Sequence, residues 1–213
     1  KEYFNEDFNN LIGDILVDGS VITGTMKMSS YGHLVYKLNN IVVTGLHRVY
    51  HDTYGWIKVS DHPQSSIIDD YRESIVYCIN TTTKVIKIND ITFIDWDDLD
   101  DKDLTEINNK CNFIPKHLKN NDIHHYLDNG LDGNTLIEME IGTETKLQDI
   151  EVNDILRFGE RVLGVIKIDA KDISNMNEYN IGNNNNNTMI KCSGNIQIYN
   201  DDIGIINTNN LDG

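Results

Sequence analysis

One alanine, Ala170, and two prolines stand in the 213 residues of the chain. The apolar share is 39%, and it contains about 30 isoleucines beside roughly 28 asparagines in the whole sequence, so the core has to be built from β-branched side chains. That composition predicts a mainly β protein. So few prolines, with 15 glycines, exclude a collagen-like or Pro-rich disordered chain. Basic residues are scarce as well: 18 Lys and Arg face 34 Asp and Glu, a formal charge of −16 with a pI near 4.6. A surface that neutralises phosphate is therefore not expected, and neither nucleic acid nor a membrane is an expected partner. No apolar run approaches the roughly 18 to 20 residues of a membrane span. Cys78, Cys111 and Cys192 are odd in number and unrelated in spacing, which supports neither a disulfide framework nor a Cys-x-x-Cys zinc pair. A reducing, intracellular compartment is expected, and no metal or cofactor. Lys1-Glu2-Tyr3-Phe4 carries no signal or transit segment, and the start reads as cut from something longer.

What is present is self-similarity. Gly13–Lys27 (GDILVDGSVITGTMK) resembles Asn153–Lys167 (NDILRFGERVLGVIK) at a constant offset of 140, with Asp14/Asp154, Ile15/Ile155, Leu16/Leu156, Gly19/Gly159, Gly24/Gly164 and Lys27/Lys167 identical. At an offset of 149, Thr44–Gly55 (TGLHRVYHDTYG) aligns with Ser193–Gly204 (SGNIQIYNDDIG) through Gly45/Gly194, Tyr50/Tyr199, Asp52/Asp201 and Gly55/Gly204. The nine extra residues fall where Asn183–Asn187 reads as a solvated insertion.

Strand signals are dense in the first copy: Gly13–Lys27, His33–Leu38, Ile41–Thr44, Arg48–His51, Trp56–Val59, Ile75–Asn80, Lys84–Ile88 and Ile91–Trp96, punctuated by Gly, Asn and Asp. Short antiparallel hairpins follow from that spacing. The acidic stretch Asp95–Asp103 breaks the pattern, and Leu104–Lys110 and Lys116–Leu127 read as short helices. Strands resume at Thr135–Met139, Thr145–Ile150, Asp154–Phe158, Val162–Ile168 and Ile196–Tyr199. The expected organisation is a first unit at 1–100, an acidic, helical linker at 101–128, and a second unit at 129–213.

The sharpest local feature is Thr44-Gly45-Leu46-His47, between the apolar Ile41-Val42-Val43 and Arg48-Val49-Tyr50. Taken alone, it is better read as a turn threonine beside a half-buried histidine between strands. About thirty residues earlier lies the Gly-Asp-Ile-Leu…Asp-Gly segment; later come Trp56-Ile57-Lys58-Val59, His62-Pro63, Tyr77-Cys78-Ile79-Asn80-Thr81 and Ile88–Asp95. In this order the motifs resemble the Hint family, the fold shared by inteins and Hedgehog autoprocessing domains. There a Cys or Ser opens the domain, followed by a Thr-rich strand, a Gly-Asp-x-Leu segment, a Thr-x-x-His block and a final His-Asn block. GLDGNTLIEMEIGTETKLQDIEVNDIL, from Gly130 to Leu156, is similar to the family's opening.

The resemblance implies a Hint-like fold of short antiparallel strands, partly duplicated and joined by a helical linker. It also implies a single-turnover self-cleavage, with the chain's own flanking polypeptide as partner. Thr44 would orient the carbonyl or amide and His47 would be the general acid/base, a role suited to an imidazole. The nucleophile position, matched by Gly130 in the second copy, falls about ten residues ahead of Lys1 by the 140 offset. In the second copy Gly130 has no nucleophilic atom and Ser193-Gly194-Asn195-Ile196 has no imidazole, so that copy is expected to be inert. Ile94-Asp95 stands where asparagine cyclisation needs His-Asn, so splicing by this chain is not expected. His62, Cys78 and Asp95 are further candidates; bland roles for the first two are an exposed turn imidazole and a buried core thiol. His124-His125 lacks the i, i+4 spacing of a metal pair, and the acidic run lacks EF-hand spacing. The rival function is a non-catalytic structural or interaction domain that keeps the fold, in the cytoplasm or in a virion, since the tandem pattern also looks similar to proteins of giant DNA viruses.

Overall fold

The structure is a computed structural model, and it describes residues 8–95, 130–170, 176–180, 189–194, 196–200 and 204–208. It divides into two compact units, the first holding residues up to 98 together with 163–167, the second holding 99–162 and 168–213. The described strands are Ile22–Ser29 (β1), Val35–Leu38 (β2), Ile41–Thr44 (β3), Arg48–His51 (β4), Gly55–Lys58 (β5), Ser65–Ile67 (β6), Ile75–Thr81 (β7), Val85–Ile88 (β8) and Ile91–Ile94 (β9). They continue with Leu136–Glu138 (β10), Glu144–Lys146 (β11), Gly164–Ile168 (β12), Met176–Asn180 (β13), Met189–Ser193 (β14), Gln197–Asn200 (β15) and Gly204–Asn207 (β16). The protein is mainly β, in small antiparallel sheets.

Three sheets make the first unit, in the orders β12-β1-β7, β3-β2-β6 and β5-β4-β9-β8. Strands of about four residues close into hairpins because the intervening Asn, Asp and Gly residues tolerate the turns. Between β8 and β9, Asn89 and Asp90 both take left-handed φ values, 48° and 66°, the two-residue turn whose twist matches the flanking strands. The core is Leu38, Val49, Val59 and Phe93, with Tyr36, Ile41, Val43, Ile57 and Ile91 packed against it. Val49 and Phe93 are direct partners across β4 and β9, so this one pair ties the two hairpins of the four-stranded sheet together. Fully burying such a side chain is worth about 1.5–3 kcal/mol.

The 140-residue repeat has one hydrogen-bond pattern in both places. Gly13 N–H donates to the Ile22 carbonyl at 2.9 Å and Asn153 N–H to Val162 at 2.8 Å; Leu16 bonds Ser20 and Leu156 bonds Glu160, each at 2.8 Å; Gly19 bonds Leu16 and Gly159 bonds Leu156, each at 2.9 Å. Gly19 and Gly159 share a left-handed φ, 85° and 88°. The segment 13–21, expected as the first part of a long strand, is therefore a tight turn held by an Ile15–Val21 bridge, and the strand begins only at Ile22. The physical reason is that Gly13 and Gly19 both take left-handed φ values, 94° and 85°, which no extended strand accommodates.

The two copies also meet. Ser29 N–H donates to the Leu163 carbonyl at 2.8 Å, so β12, expected with the second unit, runs antiparallel along β1 in the first. A Cβ on Gly24 would stand 3.2 Å from the Lys167 carbonyl oxygen, and one on Gly164 3.3 Å from that of Lys27. Gly24 and Gly164 are equivalent, as are Lys27 and Lys167, so a local two-fold relates the strands. Glycine suits both sides because an added Cβ would be tight against the facing backbone.

A smaller module recurs three times. His47 N–H bonds the Thr44 carbonyl, Val59 N–H bonds that of His47, and β4 pairs with β5 from Arg48↔Lys58 to His51↔Gly55. At an offset of 149, Ile196 bonds Ser193, Thr208 bonds Ile196, and β15 pairs with β16 from Gln197↔Asn207 to Asn200↔Gly204. At an offset of 88, Thr135 bonds Asp132, Leu147 bonds Thr135, and β10 pairs with β11 from Leu136↔Lys146 to Glu138↔Glu144. The 3-10 turns Val59–Asp61 and Leu147–Asp149 end the first and third of these.

In the second unit the β13–β14 hairpin sets Met176 opposite Ser193 and Asn180 opposite Met189. Its buried side chains include Ile150, Val152, Tyr179, Cys192, Ser193 and Thr208. The expected helices at 104–110 and 116–127 and the Asn183–Asn187 insertion lie outside the described residues. No helix among the described residues is long and apolar enough to cross a membrane.

Candidate functional site

Thr44 ends β3, and the chain then turns sharply under three backbone clamps. Gly45 N–H donates to the Leu34 carbonyl at 2.8 Å, Ser60 N–H to the Gly45 carbonyl at 2.9 Å, and Val59 N–H to the His47 carbonyl at 2.8 Å. Gly45 is buried beneath the Tyr36 ring, where any side chain would collide with the ring. The turn thus fixes Thr44 and His47, both half-buried, three residues apart on a rigid loop. The His47 ring lies 5.7 Å from the Phe93 ring, tilted by 45°.

The other sequence candidates disperse around this turn. Asp95 is fully buried, its Oδ2 accepting the Thr81 N–H at 3.0 Å and its own N–H donating to the Lys84 carbonyl at 3.2 Å. Since β4 and β9 are antiparallel, His47, one residue ahead of β4, and Asp95, one residue beyond β9, stand at the same end of that strand pair. The Asp95 carboxylate and amide thus both hold the β7–β8 turn. Cys78 sits in β7 opposite Met26, half-buried where a core thiol was expected, with its Sγ 3.6 Å from the Ile79 carbonyl oxygen.

His62 faces His51. Its ring lies 5.1 Å from that of His51, at 65°, and His51 in turn stacks on Tyr54 at 4.7 Å. Both imidazoles accept a backbone N–H at Nδ1, His51 from Thr53 at 3.1 Å and His62 from Gln64 at 3.2 Å. Each of these bonds uses the Nδ1 lone pair of its ring. Burial first, then the neighbouring His51, holds the His62 imidazole below the usual histidine range. Among the described residues no group of three His, Cys, Asp or Glu is placed to hold a metal ion.

The second unit has a counterpart that sequence reading recognised only in part. Ser193, equivalent to Thr44, is 2% exposed. Its Oγ accepts the Gly130 N–H at 3.1 Å, while its own N–H donates to the Gly130 carbonyl at 3.0 Å. The Ser193 carbonyl cannot serve Gly130 because it already accepts the Ile196 N–H at 3.4 Å and the Thr208 hydroxyl at 2.9 Å. Hydroxyl and amide are therefore matched by exclusion. Ile196 occupies the His47 position and is half-buried. Thr208, fully buried, escaped sequence reading; the alignment at 149, extended four residues, pairs it with Val59 and would have found it. The neighbouring Cys192 thiol is pushed up by burial, against a lowering bond from Thr208, and is not activated as a nucleophile.

No protein-family model matches the chain, and neither curated proteins nor solved structures give a match.

Proposed function

We propose that the chain is a Hint-type self-processing module or its degenerate descendant, with Thr44 and His47 as the working pair. The carrying observation is in the second unit, where the Ser193 hydroxyl accepts an amide N–H from Gly130 at 3.1 Å. That is the hydroxyl-to-amide arrangement the resemblance assigns to Thr44, and Thr44 has the imidazole three residues on that Ser193 lacks. A Cys or Ser side chain in the polypeptide ahead attacks the carbonyl that precedes it. The C–N bond breaks, a thioester or ester forms, and His47 delivers a proton to the departing amine while Thr44 orients the group. No metal or cofactor enters this scheme. Its partner is the chain's own flanking polypeptide, its setting the cytoplasm or a virion, and splicing is not expected with Ile94-Asp95 in place of His-Asn, because aspartate cyclises poorly.

A second reading, a structural or interaction domain that retains the fold without chemistry, is favoured by Gly130 and Ile196 in the second unit, where neither nucleophile nor imidazole survives. Expression of a longer parent, tagged on both sides, separates the two. Cleavage upstream of Lys1 by hydroxylamine or thiol, lost in His47→Ala, is expected. Protein that stays intact, or cleavage that persists in His47→Ala, refutes the processing function.

A further inference from the structure

Three segments of one kind occur in this chain: 42–44 at the end of β3, 130–132, and 191–193 at the end of β14. Each leads into the recurring hairpin module, and two of them pair with each other. Leu131 bridges Cys192, Ser193 N–H donates to the Gly130 carbonyl at 3.0 Å, and Asp132 N–H donates to the Lys191 carbonyl at 2.8 Å. These bonds exchange when 61 is added to 130–132 and subtracted from 191–193, so Leu131 and Cys192 flank a local two-fold. A module of this kind is self-complementary through its leading strand.

β3 is the one left over. Val43 pairs inward with Tyr36, and the alternation of the antiparallel ladder, continued by Gly45 N–H on the Leu34 carbonyl, turns the amide groups of Val42 and Thr44 away from β2. Among the described residues no strand lies along that outer edge, since the sheet order is β3-β2-β6. Its sequence is Ile-Val-Val-Thr, with Val42 52% exposed. Free edges are ordinarily guarded by charge, proline or a bulge, and β3 has none of these. The whole sheet carries one charged residue, Lys37, and no acidic one, in a chain of charge −16. Repulsion between two such chains is therefore low at this edge.

We propose that two copies of the chain pair through the outer edges of β3, antiparallel about a two-fold at Val43. Thr44 N–H donates to the carbonyl of the partner's Val42. Val42 N–H reaches the hydroxyl of the partner's Thr44, because the Thr44 carbonyl is already taken by His47 N–H, as the Ser193 carbonyl is by Ile196. The interface is isologous; its argument does not rest on the processing function, but a paired chain has its Thr44 covered.

Sedimentation equilibrium on the 213-residue chain tests this. So short a pairing predicts a monomer–dimer equilibrium with a dissociation constant between about 1 μM and 1 mM, tightening as salt screens the acidic remainder. Val42→Pro removes an outward N–H that the β2–β3 ladder does not use and is expected to leave a monomer. Val42→Lys keeps the N–H, brings two ammonium groups near the two-fold, and should weaken pairing about tenfold or more. Both variants should melt like the parent at low concentration. A chain monomeric throughout the range overturns the proposal, as does a dimer untouched by both substitutions. A monomer whose Thr44 amide is nevertheless protected from hydrogen exchange also overturns it, since the edge is then filled from within one chain.

Discussion

Replacing Ser193 by alanine removes one oxygen and leaves the Gly130 N–H without its acceptor. A hydrogen bond of this type contributes about 0.5–1.5 kcal/mol net, and orphaning a donor costs about 1–3 kcal/mol when water cannot reach it. Gly130 is half-buried whereas Ser193 is 2% exposed, so water recovers part of the loss on the Gly130 side only. The expected cost is about 1–2 kcal/mol, equivalent to roughly 2–8 °C in melting temperature for a chain of this length. The Ser193 backbone bond to the Gly130 carbonyl and the bridge between Leu131 and Cys192 do not involve the hydroxyl and should persist. Amide hydrogen exchange therefore discriminates better than melting alone: protection at Gly130 should fall about tenfold or more, while Ser193 and Asp132 keep theirs relative to the variant's own stability. Ser193→Thr, which restores the oxygen and makes the residue like Thr44, should recover Gly130 protection. If Gly130 exchanges in Ser193→Ala as it does in the parent, the hydroxyl does not hold that amide, and the strongest support for Thr44 as an amide-orienting residue is gone.

Two further outcomes follow from the same geometry. Gly19→Ala and Gly159→Ala should each destabilise by about 1–2 kcal/mol in urea titration, because both positions are left-handed with open space for the added methyl; unequal costs would show that the two turns are not equivalent. His62 has its folded pKa below the unfolded value of 6.5, so the unfolded chain takes up the proton first. The contribution is fully present above about pH 6.5 and is lost as pH falls from there through the depressed folded pKa. Denaturant midpoints measured across that window should decline in the parent and decline less in His62→Gln; identical slopes would refute it.

Much of the strand content was legible because Ile, Val, Tyr and Thr cluster in short runs cut by Asn, Asp and Gly. Ile41–Thr44 and Arg48–His51 have the limits read from sequence, and Ile91–Ile94 stops two residues short of them. Ile196–Tyr199 anticipated β15 to within a residue, whereas the β13–β14 pair was missed, since Met176–Asn180 carries Met, Asn and Glu in place of a β-branched run. Thr44 and His47 could be picked out as a pair by spacing. That His62 turns to His51 could not, because a single residue's spacing says nothing of which of two nearby imidazoles a loop will face.

Residue content and order suffice to show that the chain is acidic and β-rich, and that one segment is written twice, 140 residues apart, with the glycines and aspartates that a tight turn demands. Local chemistry suffices for these, because backbone φ and turn hydrogen bonds depend on residues close in the chain. It takes the folded chain to show that β1 and β12 lie side by side, that β12 belongs to the first unit's sheet, and that a third module at an offset of 88 shares a hydrogen-bond pattern with almost no residues in common. A strand's sequence fixes which of its faces is buried but not which edge it meets. The module is defined by main-chain N–H and C=O groups, which every residue but proline carries alike, so its recurrence becomes visible only once the backbone is folded.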